Sequence, residues 1–557
     1  MSSYAVQTHE ARSWPFAASP NARRVGFIVG ISLLAIVPVL LFGIPSNRDL
    51  SNHFRFALPF YDAIAGGNFY PGWLAESNGG YGDPSFRFYP PALYYLLGLF
   101  RFCTGEWYVA TLLTFGLISV AGGLGIYLWA RSILSAYEAA SAGLIYALAP
   151  YHLNQLYQAT MLAEWAGAAV LPFLFAFLER ICARGKRSDS AKFAACYALL
   201  VLTHLPLTVI GSLALLVYAL VRIESGRRVQ TLAKLAAAAA LGLCASSIYW
   251  VTMVSEMRWI GINTVAYDSS VDYRYNFLLS TFSPDNLNVW WMNILTLMTL
   301  LLSAPMFLLV RRHVWRDRPQ LRPVVVLTAF ALFMALPLSR PVWWLLSPLQ
   351  QTQFPWRWLA LISMGVAVLA GAGLALVDQT GQGSARVKRL AIMAAMSISV
   401  VFTLSHVVRE AKFLPRQAFE QTLSAVRGTA SVNYWFPVWA SAKPRAMNTA
   451  VEAGNRAVVV QSWTPESRRF SVAAGDATEA RVKTFYYPHW TARSGQQLLD
   501  TRADKDGALL ISLPHDAVSV DLDFVEPRRS HVSSYASLAG FMFIGVLGMP
   551  LSWRRKR

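Results

Sequence analysis

The sequence predicts a polytopic α-helical membrane protein with about 12 transmembrane helices and a C-terminal extracytoplasmic β-sandwich domain. Three observations predict it. Charged residues make up 14% of the 557-residue chain, against roughly a quarter in soluble proteins. Apolar runs close to the ~20 residues that cross a ~30 Å hydrocarbon core recur along the chain. Towards the C-terminus the pattern changes to the period of two that marks strands.

Charge orders the spans. The net charge of +19 invites a nucleic-acid reading. Its distribution argues against one, because basic residues gather in short loops that alternate with apolar runs, as the positive-inside rule requires. No nucleic acid is expected as a partner. Arg23 and Arg24 precede the apolar stretch Val25–Phe42, and no small-residue cleavage site follows, so this helix reads as a retained signal anchor. Further helices are expected over Tyr108–Ala130, Tyr137–Leu153 and Leu162–Leu178, then in a hairpin turning at His204–Pro206. Thr231–Val251, a helix ending at Arg311, Pro323–Leu338, Arg357–Val377, Leu390–His406 and Ser534–Leu551 complete the set. Pro91–Phe102 is expected to lie along the membrane surface, because a crossing there would carry Arg131 to the wrong side.

This order puts every strong basic cluster, through Arg554–Arg557, on one side. It implies a cytoplasmic tail over 1–24, a transmembrane domain over 25–406 with external loops at 44–107 and 252–288, and a periplasmic β-rich domain over 407–531. A final span over 534–551 and a cytoplasmic tail over 552–557 follow. Both termini are then cytoplasmic, in a bacterial inner membrane. Within the β-rich domain, strands are expected at Ala457–Trp463, Arg469–Ala473, Ala480–Tyr487, Ala508–Ser512 and Val518–Phe524, with turns at Gly475-Asp476 and Lys505-Asp506-Gly507. Cys103, Cys182, Cys196 and Cys244 lie in or beside apolar runs without zinc spacing, so no structural disulfide is expected in the β-rich domain.

The first external loop carries the densest chemistry. Asp49 follows the first helix, and His53 lies four residues on, sharing a helix face with it. Capping of the following helix by Asp49 or Ser51 is the structural alternative, worth ~1 kcal/mol. The loop continues through Phe69-Tyr70-Pro71-Gly72-Trp73 and Gly79-Gly80-Tyr81-Gly82-Asp83-Pro84-Ser85-Phe86-Arg87-Phe88-Tyr89-Pro90-Pro91. Aromatic rings beside polar tips suit either sugar binding or an interfacial aromatic belt, and composition leaves both open. No glycine-rich nucleotide loop follows a strand and no nucleophile elbow is present, which argues against a cytoplasmic nucleotide-sugar enzyme.

An acid after the first helix, a Gly-Tyr-Gly-Asp-Pro turn, Phe88-Tyr89-Pro90-Pro91, then Tyr151-His152, Ala163-Glu164 and Phe354-Pro355-Trp356-Arg357 form an ordered set. It resembles the bacterial membrane proteins labelled pyruvoyl-tetrahydropterin-synthase-related, which are similar to the GT-C superfamily of polyprenyl-phosphate-dependent glycosyltransferases. The sequence holds no histidine cluster that supports pterin chemistry. The resemblance implies a GT-C-like fold and sugar transfer from a polyprenyl-phosphate donor to a glycan, lipid or protein acceptor of the cell envelope.

The resemblance also implies residue roles. Asp49 matches the general base. Arg357 and, more loosely, Arg87 match cations for the leaving phosphate, which arginine binds through its planar fork. Glu164 matches a second acid that orients the acceptor, stabilises Arg87, or shares a divalent cation with Asp49; no cofactor is required. His53, Tyr89, Trp356 and His152 are the candidate substrate-binding residues. Structural readings stand beside these: Arg357 as a snorkelling anchor, Glu164 as a carboxylate favoured by its helix dipole, and His152 as an interfacial polar residue. The alternative function is a non-enzymatic lipid-linked saccharide transporter or accessory envelope-assembly protein. A transporter should carry charges or helix breaks at mid-membrane in related halves, and no internal repeat is present.

Overall fold

The computed structural model describes residues 20–261, 271–282, 287–311, 317–377, 384–427, 429, 436–441 and 444–549. The expected tail over 552–557, most of the tail over 1–24, and parts of the loop over 252–288 lie outside the described residues.

Helices dominate up to residue 427. By length and composition, six among the described residues can cross a membrane: Trp107–Ala130, Leu162–Arg184, Leu205–Arg222, Pro355–Leu376, Arg386–Arg409 and Arg528–Gly548. Two bent pairs bring the number to at most eight: Ser225–Ala245 with Ser247–Trp259, at 76°, and Pro319–Ala335 with Pro337–Leu345, at 85°. The other expected spans are interrupted. Val25–Phe42 divides into Pro20–Leu34 and Val37–Phe42, with Pro38 in the first turn of the second piece. Tyr137–Leu153 divides into Ala136–Ala147 and Pro150–Asn154. Proline lacks an N–H and clashes with the preceding turn, and Pro38 and Pro150 each stand in the first turn of the new helix. Pro91–Phe102 is a helix, Ala92–Thr104.

The helical region exposes apolar side chains where it is least packed. Val387, Leu390, Ile398 and Val401 on one helix, and Tyr535, Leu538, Phe541 and Phe543 on the last, are exposed. Apolar surface of that extent is covered by acyl chains or by a partner. By contrast, most of the helix Leu359–Val377 is buried within the bundle.

After residue 444 the chain forms strands. Two strands nearer the N-terminus come first: β1 (Ile44–Pro45) pairs antiparallel with β2 (Phe413–Leu414), tying the first loop to the chain that leaves the helix Ser384–Arg409. The C-terminal strands are β3 (Val451–Glu452), β4 (Val458–Trp463), β5 (Ser467–Val472), β6 (Glu479–Phe485), β7 (Trp490–Ser494), β8 (Gln497–Leu499), β9 (Thr501–Ala503), β10 (Ala508–Ser512) and β11 (Val518–Phe524). They build a sheet of order β3-β6-β10-β9 and another of order β4-β5-β11-β7-β8. Phe470, Val520 and Leu522 of one sheet and Val482, Leu509 and Ile511 of the other share a single hydrophobic core. Gly507 has φ +86° and packs against the backbone of Trp439 and Ala440, where a Cβ would collide. The Asp504 carboxylate closes the same turn by accepting from the Asp506 and Ala508 amides at 2.7 and 2.8 Å.

Two features differ from the sequence reading. Within 407–531 the chain also forms the helix Arg416–Val426, whose Phe419, Leu423 and Val426 are buried in the cluster around Phe54 and Trp107. The aromatic residues of the first loop form neither a sugar platform nor a membrane belt at Trp73 and Tyr81. Trp73 is buried within 5.7 Å of Trp490 and 5.6 Å of Phe524, ring to ring, and Tyr81 lies 5.1 Å from Phe485. The Phe485 amide donates to the Tyr81 carbonyl at 2.8 Å. The loop thus completes the core of the two sheets.

Trp73→Ala should remove a large fully buried side chain from that junction and cost about 3–5 kcal/mol. Thermal denaturation and limited proteolysis check this: the expected outcome is a lowered midpoint with early cleavage between the strands and the bundle.

Candidate functional site

Two helix N-termini meet and cap each other. The helix Leu50–Ala65 begins at Asp49, yet the Asp49 side chain makes no capping bond. The Thr160 hydroxyl instead caps the helix start from outside, accepting from the amides of Arg48, Asp49 and Leu50 at 3.3, 2.9 and 3.2 Å. Thr160 reaches them because its backbone is left-handed, φ +48°, at the exit of the turn Gln155–Ala159. In return, His53 Nε2 accepts from the Leu162 amide at 3.1 Å, the first residue of the helix Leu162–Arg184. Each helix start therefore depends on a side chain from the other, and the positive ends of both dipoles converge.

The exchange of caps brings the candidate acids together. Glu164, in the first turn of its helix, is buried at 1% exposure, and Arg357 is buried at 6%. Arg357 Nε donates to Glu164 Oε2 at 2.8 Å. Tyr151 Oη and Gln155 Nε2 donate to Glu164 Oε1, the latter at 2.8 Å. Arg357 also donates from Nη1 to the Thr352 carbonyl and lies over the Phe354 ring at 4.7 Å. This buried pairing removes the snorkelling alternative, since a snorkelling side chain carries its charge to water.

Asp49 completes the group. Its carboxylate accepts from Asn52 at 3.3 Å and lies within electrostatic reach of Arg357 and Glu164. Burial pushes its carboxyl above the ordinary value of 3.8; Asn52 and Arg357 oppose the shift, and Glu164 adds to it. Tyr89 senses the same three charges. It hydrogen-bonds Tyr94, whose hydroxyl meets His53 Nδ1 at 3.2 Å. With Nε2 accepting and Nδ1 occupied, His53 is a neutral connector, and burial pulls its pKa down to about 4.

Trp356 packs under the pair, stacked on Phe354 at 4.7 Å, and its indole N–H has no partner among the described residues. His152 lies elsewhere: its ring packs 4.2 Å from Tyr146 and lines a small pocket with Ile36, Ser119 and Trp165. Its neighbour Tyr151, quoted with it in the sequence motif but assigned no role, is one of the residues that hold Glu164.

Arg87 is the clear correction. It does not meet Glu164, Arg357 or Asp49. Its Nε and Nη2 donate to the two Glu256 oxygens at 2.5 and 2.8 Å, and Nη1 and Nη2 donate to Glu526. Glu256, fully buried, also accepts from Tyr487, His489 and Arg529 at 2.8, 2.9 and 2.9 Å. Among the described residues no group of three or more His, Cys, Asp or Glu side chains comes together to hold a metal ion. The fit for a shared cation is poor: both Glu164 oxygens are engaged by donors, one of them an arginine.

The sequence profile of the 6-pyruvoyl-tetrahydropterin synthase related domain, described as a membrane protein, matches residues 86–414, more than half of the chain. The chain belongs to this family. No curated protein matches it in sequence. Solved structures similar to this family member include the mycobacterial arabinofuranosyltransferase AftD, at 15% identity over 72% of this chain and 28% of that one, TM-score 0.48. The oligosaccharyltransferase of Archaeoglobus fulgidus in its apo form matches at 12% identity over 76% and 62%, TM-score 0.48. ArnT from Cupriavidus metallidurans bound to undecaprenyl phosphate matches at 15% identity over 72% and 76%, TM-score 0.40. The chain spans little more than a quarter of AftD.

Two outcomes are expected from this geometry. Because the folded state holds the Asp49 proton to higher pH than the unfolded chain, the group's contribution to stability is full below about pH 3.8 and is lost as pH rises through the raised folded value. Asp49→Asn should therefore be at least as stable as the wild type at pH 7, with the difference vanishing near pH 4 in thermal melts. Glu164→Gln leaves Arg357 buried without its carboxylate and should cost about 3–5 kcal/mol. Adding Arg357→Gln should restore part of that loss in the same denaturation experiment.

Proposed function

We propose that this protein is a GT-C-like glycosyltransferase that moves a sugar from a polyprenyl-phosphate donor to a cell-envelope acceptor at the periplasmic face of the inner membrane. The observation that carries the reading is a carboxylate released from its capping role. Asp49 stands at a helix start that Thr160 caps instead, and it faces the Arg357–Glu164 pair.

In this reading Asp49 takes the proton of the acceptor hydroxyl as its oxygen attacks the anomeric carbon. The bond from that carbon to the phosphate oxygen breaks, and polyprenyl phosphate leaves with the electron pair. Arg357, fixed by Glu164, holds the departing phosphate, and the two converging helix N-termini favour its charge. Because the leaving group departs as an anion, no general acid is needed. His53 is unsuited to the role of base, since its Nε2 lone pair is committed to the Leu162 amide. Glu164 serves by orienting Arg357. Tyr89 and the unpartnered Trp356 N–H supply donors to the sugar or phosphate.

The test is transfer from a polyprenyl-phosphate-linked sugar by the purified protein. Asp49→Asn should lower kcat by about 10²- to 10⁴-fold, and the acidic limb of the wild-type profile should lie above pH 3.8, because burial raises this carboxyl. Equal turnover by wild type and Asp49→Asn refutes the assigned base.

A further inference from the structure

We infer that the helix Ser247–Glu256 is a clamp that sets Tyr89 in the site, and that docking of the β-strand region is what holds the clamp shut. This inference rests on the site proposed above. Arg87 has no nitrogen left for a phosphate: Nε, Nη1 and Nη2 are all engaged by Glu256 and Glu526. Its side chain is 2% exposed and lies over the Phe524 ring at 5.6 Å. An arginine so fully paired fixes backbone rather than ligand.

The backbone it fixes leads to the site. Arg87 closes the short turn Ser85–Arg87. The carbonyl of the next residue, Phe88, accepts from the Tyr249 hydroxyl at 2.9 Å. Tyr249 and Glu256 are seven residues apart, two turns along one helix and on one face of it. That helix therefore grips residues 87 and 88 at two points, one ionic and one neutral. Tyr89 follows directly, its ring 6.4 Å from that of His53, which caps the helix bearing Glu164.

The ionic grip is built from distant parts of the chain. Glu256 accepts from Tyr487 and His489, between β6 and β7, and from Arg529 at the start of the last helix. Glu526 follows β11. Glu466, before β5, accepts from the Gly72 amide at 3.1 Å on the same side of the loop. Gly72 lies against Arg87 and Glu526, where a Cβ would collide with both. The first loop, the bent helix, the strands and the last helix are thus joined at one set of charges, two residues from Tyr89. Arg87, Glu256 and Tyr249 are positioning residues: each acts through Tyr89.

The test uses the full-length protein in nanodiscs, with undecaprenyl phosphate alone as the probe. Tyr249→Phe removes the hydroxyl that holds the Phe88 carbonyl and leaves the ion cluster whole. It should weaken binding about 3- to 10-fold, the range for one lost hydrogen bond. Tyr89→Phe should weaken binding as well, and the double variant should bind no worse than Tyr89→Phe alone. Losses that simply multiply in the double variant overturn the clamp. Glu256→Gln should speed amide hydrogen exchange over residues 85–91, and exchange equal to wild type overturns the clamp independently of any ligand. Lipid-phosphate binding without sugar transfer would refute the transferase reading and leave the clamp standing. If the wild type binds no lipid phosphate, the site reading fails and the exchange measurement alone decides the clamp.

Discussion

The exchange of caps between two helices is the constraint on which the site depends. A helix start leaves amide groups unsatisfied, and burial makes each one expensive. Here Thr160 serves the helix Leu50–Ala65 and His53 serves the helix Leu162–Arg184, so neither N-terminus is satisfied without the other. Asp49 is thereby relieved of the task that its position would otherwise give it. Glu164 is left to neutralise Arg357, a cation whose burial would be prohibitive without a carboxylate. In the proposed reading, Arg357 and the two positive helix ends receive the anionic leaving group.

The second constraint lies outside this group. Trp73 and Tyr81 extend the hydrophobic core of the two sheets into the first loop, and Glu256 gathers donors from three other segments. Apolar burial at Trp73 and ionic pairing at Glu256 act on the same loop. The strand region is therefore part of the architecture that shapes residues 85–91. It does not hang from the bundle as an appendage.

Asp49, Glu164 and Arg357 were singled out by the resemblance of the ordered motifs, since each residue alone also admits a capping, dipole or anchoring role; the structure places Arg357 on Glu164 with Asp49 nearby. The strands β4, β6, β10 and β11 were legible from their period of two, whereas β8 and β9 are three residues each, too short to show a period. Arg87 misled because its partners, Glu256 and Glu526, lie 169 and 439 residues away, and no local pattern encodes such pairing. Thr160 was hidden for a different reason: its role follows from a left-handed backbone that threonine seldom adopts. The helix Arg416–Val426 did carry a signal, apolar residues at Phe419, Leu423 and Val426, within a region otherwise read as strand. Several of the expected spans are broken helices, and prolines such as Pro38 and Pro150 stand at the breaks.

The most direct test of the central claim is a structure of the protein in a lipid bilayer with undecaprenyl phosphate bound. The account predicts the phosphate within hydrogen-bond reach of the Arg357 guanidinium, with Asp49 facing the same space and Thr160 still capping the helix behind it. A phosphate bound away from Arg357, or an Asp49 side chain turned back onto its own helix amides, would contradict it.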